Sequence, residues 1–195
     1  MTGVRKADAM YTSEEKMSKY YLIGLPHCGK STLGRQVAEV LELPFFDTDI
    51  MVKDRLELTR PSQLFSQSFH REFMYQQYAI MTELAELDGP AIIATGAEIA
   101  LMSQCVEIMK NTGIIIHIQR TFESLTAEAT KNGKPQLVLY SENGTTINMQ
   151  EETVKLYAKE LYRYKALTDV ILENNGSEEE GVEKLVALIN SLSLD

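Results

Sequence analysis

Tryptophan is absent from this 195-residue chain, and cysteine occurs only twice. Two isolated thiols, Cys28 and Cys105, cannot build a disulfide framework or a cysteine-rich metal cluster, and such sparse use fits a reducing compartment. No apolar run approaches the roughly 20 residues that cross a bilayer. Residues 1–19 are polar and charged, without the apolar centre of a signal peptide. Positive charge is scarce as well: 19 Lys and Arg face 28 Asp and Glu, for a formal net charge of −9. With no basic tract, neither nucleic acid nor an anionic membrane is expected as a partner. Repeats and low-complexity stretches are missing too. These absences together describe a cytoplasmic protein, expected as a monomer or weak homodimer.

What is present suits one compact α/β domain over residues 20–195, preceded by a short leader over 1–19. Short apolar runs at 20–23, 45–46, 91–94, 114–118 and 170–172 read as strands. The unbroken run Ile114-Ile-Ile-His-Ile118 has the look of a parallel strand covered on both faces. Between the strands, apolar residues recur at helical spacing: Leu33, Val37, Val40 and Leu41; then Phe69, Phe73, Ile80, Met81, Leu84 and Leu87; then Leu101, Cys105, Ile108 and Met109. A further helix is expected near 151–164. Ser177 with Glu180 forms a capping box for a last one, with Val182, Leu185, Val186 and Ile189 on its inner face. Strands alternating with helices imply a five-stranded parallel sheet between helical layers. Residues 127–148 are polar and contain Gly133, Pro135 and Gly144, which marks them as a flap.

The sharpest chemical signal is Gly24-Leu-Pro-His-Cys-Gly-Lys-Ser31, a Gly-x-x-x-x-Gly-Lys-Ser loop between a strand and an amphipathic helix. Gly24 and Gly29 let the backbone curl so that successive N–H groups converge on phosphate oxygens, helped by the positive end of the helix. Lys30 is the cation for the β- and γ-phosphates, Ser31 offers a hydroxyl to Mg²⁺, and His27, Cys28 and Thr32 complete an ATP-binding loop. Asp47 ends the next strand, where a carboxylate can hold Mg²⁺ through its water shell. His70 and His117 lack partners at any catalytic spacing. They read as a half-exposed helix residue and a strand residue.

The order of this loop, Leu43-Pro-Phe-Phe-Asp-Thr-Asp49 and Ile92-Ile-Ala-Thr-Gly96 resembles the shikimate kinase family over nearly the whole chain from about Lys19. That resemblance implies a three-layer α/β/α P-loop NTPase fold with a helical substrate-binding region and a mobile lid over about 127–148. It implies transfer of the γ-phosphoryl group of ATP, with Mg²⁺, to a hydroxyl of a small-molecule acceptor, shikimate by default. It gives Asp47 to the metal and Asp49 to the acceptor hydroxyl as binder and base. Lys134 would act from the lid, and Arg71, Gly96 and Glu98 would contact the acceptor.

The chain departs from the family pattern at several places. The Gly-Gly-Gly run after Ala-Thr reads Gly96-Ala97-Glu98. The family's carboxylate-binding arginine falls on Met74, with Arg71 nearby. The lid Arg-Pro becomes Lys134-Pro135, and the arginine near the adenine falls near Glu128. The late arginine falls near Glu160, with Lys159 and Arg163 as neighbours. Neither Met nor Glu can grip a carboxylate in two bonds as a guanidinium does. Two other readings therefore stand beside the first: a kinase for a different hydroxyl acceptor, and a catalytically impaired nucleotide-binding regulatory homologue.

Overall fold

A computed structural model describes residues 19–57, 67–131, 139–140, 146–147 and 150–192, with the backbone alone given at 67–70, 128–131, 139–140, 146–147 and 150–156. Five strands form one sheet: β1 (Lys19–Ile23), β2 (Phe45–Asp47), β3 (Ala91–Ala94), β4 (Gly113–Gln119) and β7 (Val170–Glu173). Their order is β2-β3-β1-β4-β7 and every pairing is parallel. All five expected strands are found. The expected boundary at residue 20 moves by one, because Lys19 already belongs to β1 and pairs with both Ala91 and Gly113.

Alternation along β1 shows why its apolar run is continuous. Leu22 lies under α1 (Lys30–Val40), where a Cβ on Gly34 would come within 2.9 Å of it. One residue earlier, the Tyr21 hydroxyl shares a 2.7 Å hydrogen bond with Thr112, at the end of α4 (Ser103–Thr112). Successive side chains thus meet helices on opposite faces, and both are buried. On one side, α1 packs on α7 (Glu178–Leu192); on the other, α4 and α6 (Gln150–Leu167) lie against β4. Ser177 caps α7, its hydroxyl accepting the Glu180 N–H at 3.2 Å.

Two helices escaped the sequence reading: α2 (Thr48–Arg55), at eight residues too short for periodicity to register, and α5 (Phe122–Lys131), whose second half lies in the polar stretch read as a flap. Helix α5 runs into the start of the expected flap, and the two-residue strands β5 (Leu139–Tyr140) and β6 (Thr146–Ile147) pair antiparallel within it. Helix α3 (Gln67–Ala85) buries Ile80, Met81 and Leu84. Leu87 lies past its end and Val40 on the outer side of α1, both exposed. Leu101 is exposed too, because residues Ala97–Leu101 form a 3-10 turn rather than the start of α4. Val182 and Val186 sit at the margin of the α7 stripe, half-buried beside fully buried Leu185 and Ile189.

Candidate active site

Parallel strands place all their carboxyl ends along one edge of the sheet, so the segments after β1, β2, β3, β4 and β7 converge there. After β1 the chain turns sharply. Gly24 (φ 144°) and Gly29 (φ 106°) adopt left-handed backbone angles, with His27 between them at φ 66°. Gly29 is the N-cap of α1. The Lys30 side chain does not point into solvent, as a bare loop lysine would. It is folded back and buried, its ammonium donating to the carbonyls of Gly24 (2.8 Å) and Leu25 (3.0 Å) and lying 3.8 Å from Cys28 Sγ. Ser31 and Thr32 are exposed, His27 is half-buried and Cys28 is buried. A cavity of about 620 Å³ opens over this loop, lined by His27, Lys30, Ser31, Thr32, Arg120 and Asn174.

Arg120 and Asn174 are absent from the sequence reading. Asn174 is buried and donates through Nδ2 to the carbonyl of Cys28 at 2.9 Å. Arg120 Nε donates to the Asn174 carbonyl at 2.6 Å, and Nη1 reaches the His27 carbonyl at 3.5 Å. Tyr157, on α6, donates to the carbonyl of Arg120 at 2.6 Å. The ends of β4 and β7 thus brace the loop from behind. The available signal was positional: both follow apolar strand runs closely at the edge where the sites of parallel sheets lie.

The second half of the site follows β2 and β3. Asp47 N-caps α2, its carboxylate accepting the backbone N–H groups of Asp49 (3.1 Å) and Ile50 (3.2 Å). Thr48 is fully buried and accepts the Gly96 N–H at 3.1 Å, which ties the segment after β2 to the segment after β3. Asp49 stands beside Gly96, where any Cβ would be 2.5 Å from its Oδ1. Burial raises the Asp49 carboxyl above the usual carboxylate range; the Lys30 charge pulls it back, Asp47 raises it, and Lys53 lowers it. The structure therefore brings Lys30, Asp47, Asp49 and Gly96 to one corner.

The remaining candidates are placed differently. Glu98 is half-buried in the turn after Gly96, and the Tyr164 hydroxyl holds that turn by donating to the Ala97 carbonyl at 2.6 Å. Met74 packs against the hydrophobic core. Arg71 is exposed on α3, and at 100° per residue it points about 120° away from Gln77, the α3 side chain that meets Asp49. Arg163 is bonded to Glu160 at 2.7 Å, so its charge is already matched. Lys134 lies outside the described residues, as does the side chain of Glu128. His117 is buried in β4 with its ring 5.3 Å from that of Tyr164. Burial lowers it to about 4, with the charges of Lys165 and Lys30 adding to the effect.

Among the described residues no three His, Cys, Asp or Glu converge as a cage for a metal ion. A magnesium nucleotide needs no such cage, because Mg²⁺ takes one or two protein oxygens and fills the rest of its shell from phosphates and water. Exposed Ser31 and the Asp47 carboxylate are hard oxygen donors of that kind.

A doubly covered parallel sheet with a Gly-x-x-x-x-Gly-Lys-Ser loop after its central strand defines a P-loop nucleotide-binding protein. The shikimate kinase family model matches residues 26–190. A shikimate kinase of Clostridium botulinum is 30% identical over 172 residues, covering 88% of this chain and 97% of the relative. One from Clostridium beijerinckii is 31% identical over 160 residues, 81% of this chain and 86% of that protein. The chain belongs to the shikimate kinase family. Its fold superposes on an Acinetobacter baumannii shikimate kinase solved with shikimate, at a TM-score of 0.74, 24% identity, and 93% and 97% coverage of the two chains.

Proposed function

We propose that this protein binds ATP with Mg²⁺ on the 24–31 loop and transfers the γ-phosphoryl group to a hydroxyl of shikimate. The observation that carries the reading is the match of the whole domain, residues 26–190, to a family whose named relatives are shikimate kinases. Phosphoryl transfer asks a protein chiefly for positioning and charge neutralisation. Lys30, now resting on the Gly24 and Leu25 carbonyls, would exchange them for phosphate oxygens. Bound Mg²⁺ supplies charge neutralisation on the phosphates, held by Ser31 and Asp47. Asp49 accepts the hydrogen bond of the attacking hydroxyl and takes its proton, and Lys134 completes the charge complement from the lid. Gly96 and Glu98 are assigned to the acceptor side, whereas Arg71, which the family resemblance puts there, is exposed and faces away from the side of α3 that meets Asp49. A coupled assay of ADP release with ATP, Mg²⁺ and shikimate tests the reading: a saturable, shikimate-dependent rate supports it, and ATP binding without such a rate overturns it.

A second reading is favoured by particular residues. Met74 is half-buried against the core and carries no charge, and Arg163 is matched by Glu160, so neither place offers an unmatched cation to an acceptor carboxylate. Glu98 adds a negative charge on the same side. A neutral polyol acceptor, or nucleotide binding without transfer, fits these three features. Running the same assay with a panel of uncharged polyols, alongside calorimetric ATP binding, separates the two.

A further inference from the structure

Gln77 is fully buried on α3, yet its amide is only half satisfied. Nε2 donates to Asp49 Oδ1 at 3.3 Å, while Oε1 has no hydrogen-bond partner. A buried carbonyl oxygen left in this state costs about 1–3 kcal/mol, so Met or Leu would suit the packing better than Gln does. What the amide alone provides is the donor. An ionised carboxylate only accepts, so the NH₂ end must face Asp49 and the oxygen is left over. The same spot explains the missing side chain at Gly96, whose φ of −62° any residue could adopt. A Cβ there would lie 2.5 Å from both Asp49 Oδ1 and Gln77 Nε2 and would wedge the pair apart. Thr48 pins Gly96 in place through the 3.1 Å bond to its N–H. Three segments are therefore arranged around one oxygen of Asp49.

We infer that Gln77 is the positioning residue for Asp49, holding one carboxylate oxygen so that the other is aimed at the acceptor hydroxyl. The inference rests on the reading of Asp49 as the group that meets that hydroxyl. Gln77 suits the task because it donates without carrying a charge: a cation would bind the carboxylate too tightly to leave it basic, and an anion would repel it.

The test uses the full chain and three variants, Gln77→Met, Gln77→Glu and Asp49→Asn. Gln77→Met keeps the volume and removes the donor. It should lower kcat about tenfold through misaimed attack, leave the KM for ATP within twofold, and leave the melting temperature unchanged or raised. Gln77→Glu should lower kcat further. In ¹⁵N spectra of the wild type, the Gln77 side-chain amide, assigned by its loss in Gln77→Met, should shift on Asp49→Asn. Wild-type kcat in Gln77→Met, or a parallel loss of kcat, ATP affinity and melting temperature, overturns the positioning role. If the wild type leaves shikimate untouched, the acceptor reading fails on its own, and the amide resonance then decides: a shift on Asp49→Asn supports the pair, and no shift overturns it.

Discussion

The ammonium group of Lys30 donates to the carbonyl of Gly24 at 2.8 Å, so the phosphate loop is closed on its own lysine. Charge and backbone are thereby kept together until an anion displaces the carbonyls. Lys30→Met removes the charge while keeping most of the packing. We expect transfer to fall by at least about 100-fold, the scale for losing one charge-stabilising donor, with the protein still folded. Steady-state kinetics beside a melting curve check this. A collapse of the melting transition with no ATP-specific defect would assign the side chain to the loop alone.

Asp47 and Asp49 are two residues apart but do different work. Asp47 caps α2, so Asp47→Ala should cost about 1 kcal/mol of stability, while Asp47→Asn, an equally good cap, should cost almost none. Both should raise the Mg²⁺ concentration needed for turnover. Asp49→Asn should instead reduce kcat by about 100-fold at an unchanged ATP affinity, as expected for a lost base. Magnesium titrations and denaturant melts separate the three variants. Equal effects of Asp49→Asn on transfer and ATP affinity would move Asp49 to the metal.

His117 gives the protein an acid-sensitive core. Its folded value of about 4 lies below the ordinary 6.5, so the unfolded chain binds the proton more readily. The stability of the neutral form is therefore complete above about pH 6.5 and falls away as the pH drops toward 4, by about 2–3 kcal/mol for a shift of this size. Urea melts at pH 7.5, 5.5 and 4.5 should trace this loss, and His117→Gln should flatten that part of the profile. An unchanged pH dependence in the variant would assign the acid sensitivity to other groups.

Lys19 is buried, and its ammonium donates to the carbonyls of Leu87 (2.7 Å) and Gly89 (2.5 Å) just before β3. Lys19→Met keeps the stem and leaves those carbonyls without their donor, at a cost of about 2–3 kcal/mol. A chemical melt shows it directly. Because the segment lies at the opposite end of β1 from the phosphate loop, the KM for ATP should stay within twofold.

The phosphate half of the site was legible because it is local. Residues 24–31 carry their own geometry: two glycines that permit the turn, a lysine and a serine at fixed offsets, with a strand before and a helix after. The strands were legible for a similar reason, since a doubly covered parallel strand must be apolar at nearly every position, as Tyr20 to Ile23 are. Helix α2, at eight residues, gives periodicity too few turns to register, and α5 was hidden by the polar residues of its second half.

The sequence by itself determined the fold class, through apolar strand runs alternating with helical periodicity along the chain, and the phosphate loop, whose residues are neighbours within eight positions; Asp49 was singled out by the family resemblance. Tertiary structure alone decided that Gln77 meets Asp49 and that Arg120 and Asn174 brace the loop. Those contacts span 28 residues for Gln77 and Asp49 and 146 for Asn174 and Cys28. Bonds of that reach exist only once the order β2-β3-β1-β4-β7 has gathered the strand ends along one edge.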